Sequence, residues 1–394
     1  MARKKIMIIA GESSGDLHGA RLAAELKIAR RDLDLFGLGG ASMREAGVRI
    51  LADPTAVAVI GLIEVLKHLD TFKALFRKAA DALDAEKPDL VVLIDYPGFN
   101  LRFAREVKRR GIRLAYFISP QIWAWNSGRI HRIKQLVDRM IVVFPFEKAI
   151  YERGGVPVTF VGHPLLEHVR PKLERMDALE HLGFADGLPV IGLLPGSREV
   201  EVRRILPVLL ATGERMKEQL PSTARFLLIK SPHLSWEIYK QALERSTLQP
   251  KVVERWDYDC IHICDLVLVA SGTATLECAL LGRPMLIVYK TSWPTYLISR
   301  LLIRIPVIGL VNVIASADDS GRMKTRRIAP EFIQHRATPN AIADGALNLW
   351  KSAEKRRQMQ ADFEEIRGKL GGEGAVAKAA TAVLQELDQA KTAK

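Results

Sequence analysis

Ten short apolar runs, most of them separated by helix-length segments, constrain the fold of this chain more than any other feature. The runs are rich in Ile, Val, Leu and Phe, and each ends at Gly, Pro or a polar residue. They cover residues 4–10, 33–40, 88–97, 112–120 and 138–146, and then 188–196, 224–230, 250–255, 265–272 and 284–290. Short buried strands that alternate with helices are typical of parallel βαβ units. The sequence therefore predicts an α/β protein with two doubly wound domains that face each other.

A polar, helix-prone stretch near residues 165–187 separates the two series of runs. We place the first domain at residues 1–165 and the second at 166–372, with a last helix at about 373–394 after a glycine-rich break. Ligands of doubly wound sheets bind outside the carboxyl ends of the strands. We therefore expect the chemistry in the loops that follow the runs.

Charge and composition narrow the classes of partner. Lys and Arg number 58 against 45 Asp and Glu, a net charge of +13 that favours anionic partners. No RNA-recognition motif, zinc-finger spacing or basic low-complexity tail is present, so we expect no nucleic-acid partner. The apolar stretches are too interrupted to span a bilayer, and the one near the N-terminus is too short for a signal peptide. With only three cysteines, these features predict a cytoplasmic protein.

The loop after the first run, residues 11–19, reads GESSGDLHG. It is neither the G-x-G-x-x-G of dinucleotide-binding proteins nor a Walker A motif. A turn with a capping Ser or Asp and a ligand-binding loop are equally compatible with these residues.

Two loops of the second domain have the pattern of an anion site. Ser271, Gly272 and Thr273 join a buried run to a helix that carries Glu277, and Ser197 and Arg198 follow another run in the same way. Backbone N–H groups and hydroxyls at a helix start favour phosphate, and the arginine fork suits a diphosphate. Simple helix capping explains either loop alone. Two such loops in one domain favour a nucleotide diphosphate.

Other polar residues raise the question of catalysis or metal binding. Asp95 ends an apolar run, where a carboxylate could act as a general base or cap a turn. The D-x-D sequence at 257–259 precedes a helical stretch, and capping is the better interpretation. Cys260, His262 and Cys264 have no second ligand cluster, so we expect no metal site. For His163 a structural role is at least as well supported as a catalytic one.

Residues 60–86 show apolar residues at helical spacing, flanked by lysines and an arginine. Such a helix can lie on anionic lipid, although a core-facing amphipathic helix is the more ordinary explanation. The apolar stripe consists of Leu62, Val65, Leu66, Leu69, Phe72 and Phe76. A second candidate for an interfacial segment is 291–310, where Trp293 and Tyr296 lie near Arg300 and Arg304.

A resemblance to a known family rests on eight motifs taken in chain order: GESSGDLHG, FGLGGASM, IDYPGFN, SPQIWAW, FPFE, FVGHPL, LPGSR and SGTATLE. Together they resemble the lipid-A-disaccharide synthase family, bacterial inverting glycosyltransferases, from about residue 5 to about residue 335. The resemblance implies the GT-B architecture, two Rossmann-like domains around a cleft, with the last helix returning to the first domain. It implies transfer of diacylglucosamine from a UDP donor to diacylglucosamine 1-phosphate, which gives a β-1,6 disaccharide and UDP. It also implies no cofactor and a peripheral position on the cytoplasmic face of the inner membrane, and it leaves a homo-oligomer open.

The resemblance also implies functional roles for individual residues of this sequence. Asp95 matches the proposed general base. The donor side would consist of Ser197, Arg198, Ser271, Gly272, Thr273, Glu277, Asn312 and Gln334, and the acceptor side of Glu12, Ser14 and Asp16. Two departures are Gly98, where the family usually has an acidic or bulkier residue, and a longer, more polar loop at 315–327.

Two other classes of function remain open at this point. Another GT-B enzyme, such as a UDP-sugar epimerase or a peptidoglycan glycosyltransferase, would share the nucleotide loops. A noncatalytic lipid-binding protein would use the 60–86 helix alone.

Overall fold

A computed structural model describes residues 3–55, 69–125, 128–232, 234–254, 258–303 and 305–390 of the chain. The strands are β1 (Lys4–Ala10), β2 (Leu33–Leu38), β3 (Arg49–Ala52), β4 (Leu90–Ile94), β5 (Arg113–Phe117), β6 (Arg139–Val142), β7 (Val158–Phe160), β8 (Val190–Leu194), β9 (Arg225–Lys230), β10 (Lys251–Glu254), β11 (Leu266–Ala270), β12 (Met285–Tyr289) and β13 (Glu331–Ile333).

The helices of the described residues lie mostly between these strands. They are α1 (Ser13–Ala29), α2 (Ala41–Glu45), α3 (Leu69–Glu86), α4 (Pro97–Arg109), α5 (Ile122–Trp125), α6 (Arg129–Leu136), α7 (Pro145–Arg153), α8 (Leu165–His168), α9 (Arg175–His181), α10 (Glu199–Lys217), α11 (Glu237–Glu244), α12 (Asp259–His262), α13 (Thr273–Leu280), α14 (Trp293–Leu302), α15 (Leu310–Ser316), α16 (Pro339–Lys351), α17 (Ala353–Lys369) and α18 (Ala375–Gln389), with a 3₁₀ turn at Gln334–Arg336.

Within the described residues the strands form two parallel sheets. The first has the order β3-β2-β1-β4-β5-β6-β7 and the second the order β10-β9-β8-β11-β12-β13. Each of the ten apolar runs contains one strand, which confirms the predicted α/β class. All residues of β4, β8 and β11 are buried, which explains why these runs lack polar alternation.

The chain divides into two compact units. The first comprises the residues up to 164, residues 319–321 and the residues from 370 onward, and the second comprises 165–318 and 322–369. Each unit contains one of the sheets.

Helix α18 belongs to the first unit, although the whole second unit precedes it in the chain. Its Glu386 is fully buried and accepts hydrogen bonds from the guanidinium groups of Arg113 and Arg139, on β5 and β6. Val383 and Leu387 bury the apolar face of the same helix. The last helix is therefore held to the first sheet by both an ion pair and apolar packing.

In the part of the chain that the structure describes, no helix combines the length and the hydropathy needed to cross a bilayer.

Candidate active site

The order of the first sheet places two loops side by side. Strands β1 and β4 are neighbours although β2 and β3 lie between them in sequence, and Ala10 pairs with Ile94 at their carboxyl ends. Such a reversal of strand order opens a crevice for ligands. The loop that begins at Gly11 and the loop that begins at Asp95 therefore leave the sheet at the same point.

Asp95 directly follows β4 in an unusual backbone conformation. Its φ is 45°, and the φ of Tyr96 is 47°, both in the left-handed region that non-glycine residues seldom adopt. Three hydrogen bonds hold the Asp95 backbone: its N–H donates to the Phe117 carbonyl, and its carbonyl accepts from Asn100 Nδ2 at 2.8 Å and from the Tyr116 hydroxyl. The half-buried Asp95 carboxylate thus projects from a backbone that is held by its neighbours.

The first loop lies against the Asp95 loop. A Cβ at Gly11 would lie 2.0 Å from Cδ1 of Tyr96, so only glycine permits the tyrosine ring to approach this closely. Burial and the charge of Glu12 raise the pKa of Tyr96 to about 12, which keeps this phenol protonated at neutral pH. Glu12 is half-buried and Ser14 is exposed at the start of α1. Glu12 and Ser14 therefore lie at the edge of the sheet where ligands of doubly wound folds bind.

Asp16, which the resemblance places on the acceptor side, makes structural hydrogen bonds in this chain. Its buried carboxylate accepts hydrogen bonds from the backbone N–H groups of Gly40, Ser42 and Met43, at 2.6, 2.9 and 3.2 Å. These are donors at the start of α2, where a helix leaves its first N–H groups without intrahelical partners. Asp16 therefore anchors the loop between β2 and α2, and its place among the acceptor-side residues stays a prediction.

The second sheet repeats the reversal of strand order. Strands β8 and β11 are neighbours, with Leu194 paired to Val269, and the loops that follow them border a pocket of about 290 Å³. Six of the predicted donor residues line this pocket: Ser197, Arg198, Ser271, Gly272, Thr273 and Glu277. Gly196, Lys230 and Ser231 also line it.

The start of α13 presents backbone to this pocket. Gly272 has φ 157° and ψ −162°, a combination that is almost exclusive to glycine. The Ser271 hydroxyl donates to the Ile308 carbonyl at 3.2 Å, and Thr273 is exposed in the first turn of the helix. The N–H groups of that turn and the positive end of the helix dipole make this a site for an anion.

Two ionisable residues complete the pocket. Arg198 precedes α10, is 61% exposed in its side chain, and donates to Glu201 at 3.2 Å. Glu277 lies one turn into α13 and is buried. An exposed guanidinium beside a helix start can neutralise a diphosphate, and a carboxylate one turn deeper can accept hydrogen bonds from a sugar diol.

Comparison with known proteins identifies the family. The sequence profile described as lipid-A-disaccharide synthetase matches residues 6–385. The chain belongs to this family. The lipid-A-disaccharide synthase of Geobacter sulfurreducens is 41% identical over 383 residues, 97% of either chain. That of Nitrosococcus oceani is 43% identical over 366 residues, 93% of this chain and 92% of the other.

Solved structures with the same fold are more distant in sequence. A UDP-GlcNAc 2-epimerase from Neisseria meningitidis bound to UDP-GlcNAc has a TM-score of 0.61 at 14% identity, covering 97% of this chain and 100% of its own. The calicheamicin glycosyltransferase CalG4 has a TM-score of 0.60 at 15% identity, covering 99% of each chain. These likenesses confirm the GT-B fold of this synthetase-family chain.

Two residues that the resemblance to the synthetase family assigned to the donor do not line this pocket. Asn312 is buried, donates to the Ala329 carbonyl and Glu331, and accepts from the N–H groups of Ile328 and Ala329. These four bonds join α15 to the segment that leads into β13.

Gln334 is also buried, and its side-chain amide bonds both backbone groups of Thr291 at 3.0 and 3.1 Å. Neither Asn312 nor Gln334 lines the pocket. Both hold neighbouring segments through hydrogen bonds to backbone groups, and their contact with the donor stays a prediction.

Sequence reasoning overlooked Lys230, the last residue of β9. Its ammonium group is buried, donates to the Leu234 carbonyl at 2.9 Å and pairs with Glu254 at 2.8 Å, and the residue lines the pocket. The signal was a cation at the carboxyl end of an apolar run, where ligand contacts concentrate.

Sequence reasoning also assigned no role to Glu147 in the FPFE motif. Its buried carboxylate accepts from the Ser119 hydroxyl at 2.7 Å, from Trp123 Nε1 at 3.0 Å, and from the Phe144 N–H. Burial, together with a smaller effect of the Asp95 charge, raises the pKa of Glu147 to about 7, against the opposing effect of these donors. The carboxylate links the SPQIWAW and FPFE motifs of the family.

The proposed lipid-facing stripe is only partly within the described residues. Leu62, Val65 and Leu66 lie outside them, as does the side chain of Leu69, the first residue of α3. Phe72 is half-buried. Phe76 packs edge-on against Phe99 and Phe103, with ring centroids 5.5 and 5.8 Å apart. The contact of this stripe with lipid stays a prediction.

Proposed function

We propose that this protein is a lipid-A-disaccharide synthase that joins UDP-2,3-diacylglucosamine to 2,3-diacylglucosamine 1-phosphate with inversion. The products are the β-1,6-linked disaccharide 1-phosphate and UDP. The observation that carries the proposal is the pocket of the second unit, which six of the expected donor residues line. Membership of the synthetase family favours this reaction over that of an epimerase.

In the proposed mechanism Asp95 is the general base. Its carboxylate takes the proton of the acceptor 6-hydroxyl as that oxygen attacks the anomeric carbon of the donor. The bond between that carbon and the diphosphate oxygen breaks on the opposite face, so the configuration inverts. The backbone bonds from Asn100 and Tyr116 hold the base at the end of β4 before the substrate arrives, which reduces the reorganisation needed in the transition state.

The donor side stabilises the leaving UDP. We assign its diphosphate to the first turn of α13 and to Arg198, whose charge opposes the negative charge that develops as the bond breaks. Glu277, buried one turn deeper, would accept hydrogen bonds from the ribose. The proposal assigns neutralisation of the leaving group to these groups rather than to a metal ion.

The proposed substrates also imply a membrane surface as partner. Each carries two acyl chains, and each buried methylene contributes roughly 0.8 kcal/mol to partitioning into lipid, so both substrates reside in a bilayer. We therefore propose that the protein works as a peripheral protein on the cytoplasmic face of the inner membrane.

Asp95→Asn tests the chemical step. The amide keeps the size of the side chain and all backbone bonds of residue 95, but it cannot take a proton. We expect kcat to fall by about 10²–10⁴-fold, while the Kd for UDP in titration calorimetry stays within about twofold because the donor pocket belongs to the other unit.

Asp81→Asn, on the exposed face of α3, is the matched control and should leave both quantities unchanged. Turnover by Asp95→Asn at the wild-type rate would contradict the role of the base. Activity on unacylated UDP-glucosamine alone would contradict the lipid substrate and favour another GT-B reaction.

A further inference from the structure

Helix α14 exposes an apolar surface that the proposed chemistry does not use. None of its residues is buried. Eleven large apolar side chains are exposed in the described part of the chain, and six of them lie between residues 293 and 303. They are Trp293 (58% exposed), Leu297 (58%), Ile298 (50%), Leu301 (86%), Leu302 (49%) and Ile303 (37%). A concentration of this kind on a folded protein marks an interaction surface.

The apolar side chains of α14 cover a wide surface, which suits an extended partner rather than a narrow groove. At about 100° per residue, the side chains of Trp293, Leu297, Leu301, Ile298 and Leu302 spread over half of the helix circumference. The aromatic ring of Tyr296 lies edge-on against Trp293 at 5.8 Å, which places two amphipathic rings at the N-terminal end of the helix. Trp and Tyr favour the boundary between water and lipid.

The charge of the segment selects the kind of partner. From residue 278 to residue 317 the chain contains no Asp or Glu. Lys290 precedes the helix, Arg300 is exposed in its last turn, and the guanidinium of Arg327 donates to the Pro306 carbonyl just beyond it. An apolar surface bordered by cations complements anionic head groups above an acyl layer. In an isologous dimer, by contrast, the same cations would be brought together.

We propose that α14 and Ile303 dock on the surface of an anionic phospholipid bilayer. Leu297 and Leu301 enter the acyl layer, and Arg300 remains among the phosphates. The inference deepens the proposed function, on which it rests for a lipid partner, and assigns a membrane contact to the second unit.

The test compares two double variants in co-sedimentation with vesicles of phosphatidylethanolamine and phosphatidylglycerol. Leu297→Ser with Leu301→Ser should lower the partition coefficient at least about tenfold, because two apolar anchors are lost. The control, Ile28→Ser with Met176→Ser, removes two equally exposed apolar side chains elsewhere and should change it less than about twofold. Arg300→Glu should weaken binding to these vesicles but not to vesicles of phosphatidylcholine.

Unchanged vesicle binding by the α14 double variant would overturn the inference. A change of oligomeric state in analytical ultracentrifugation, with vesicle binding intact, would assign the surface to a second copy of the chain instead. Transferase activity on detergent-dispersed substrates distinguishes the membrane-docking proposal from the proposed function. The α14 double variant should retain this activity. If the wild-type protein lacked this activity, that result would contradict the proposed function and not the membrane docking.

Discussion

Asp95 in the first unit and Gly272 in the second have backbone conformations that most residues avoid. Asp95 lies at φ 45° at the end of β4, and Gly272 lies at φ 157° before α13. Backbone strain of this kind persists only where the surroundings determine it, and it is concentrated at functional sites. At Asp95 two hydrogen bonds hold this conformation, because the Asp95 carbonyl accepts from both Asn100 and Tyr116.

Gly272→Ala tests whether this conformation matters for the donor. No atom lies within 4 Å of the added Cβ, so the cost comes from the backbone and not from a clash. We expect the turn to relax and the Kd for UDP to rise at least about tenfold, measured by calorimetry, because α13 would present its N–H groups differently.

Gly368→Ala, also with open space but inside α17, is the control and should leave UDP affinity unchanged. Wild-type affinity in Gly272→Ala would show that the conformation has no part in binding.

Three buried polar residues for which the resemblance implies a ligand also have structural partners. Asp16, Asn312 and Gln334 each lie in a motif or a position that the family resemblance connects with ligands. In the structure each bonds backbone groups of a separate segment. A side chain type that can bind a ligand can equally satisfy a loop, and local sequence does not distinguish the two.

Among the elements, the three strands missed from the sequence lie at the edges of the sheets. β3, β7 and β13 contain four, three and three residues, and most of their side chains are half-buried. An edge strand has one neighbour and partial cover, so it needs no continuous apolar run. The internal strands β4, β8 and β11 have neighbours on both sides and their side chains are fully buried, which is why their runs were recognisable.

Helix α18 provides a test at this scale. Glu386→Ala leaves Arg113 and Arg139 without their shared carboxylate. Because both arginines are about a quarter exposed, we expect a loss of roughly 2 kcal/mol in the unfolding free energy of the first unit, below the range for a fully buried pair.

Asp388→Asn on the same helix removes an exposed pair with Arg30 and should cost less than about 0.5 kcal/mol. Denaturant unfolding measures both variants, with limited proteolysis at residues 371–374 as a second readout. Equal losses of unfolding free energy in the two variants would contradict the role of Glu386 in holding α18 to the first sheet.

At the scale of the whole molecule, the two units divide the candidate chemistry between them. The first unit holds Asp95, Glu12 and Ser14, and the second holds the donor pocket. A ligand that occupies only the pocket should therefore stabilise the second unit directly. At 100 times its Kd, such a ligand contributes about 2.7 kcal/mol of stability to the unit that binds it.

Hydrogen exchange with UDP tests this division. We expect the strongest protection at residues 196–198 and 271–274, which line the pocket, and we expect this protection to be weaker in Gly272→Ala. Maximal protection in the loops after β1 and β4 would place the nucleotide in the first unit and refute the assignment.

The sequence by itself determined the two parallel sheets and predicted the loops that line the pocket of the second unit. Both depend on residues that are close in the chain: apolar runs mark buried strands, and a Ser-Gly-Thr turn precedes its own helix. Only the tertiary structure decided which polar residues support the fold, because their partners are distant, as for Glu386 with Arg113 and Arg139. The tertiary structure also decided that the apolar side chains of α14 are exposed, because the sequence of an apolar helix does not show whether another element packs against it.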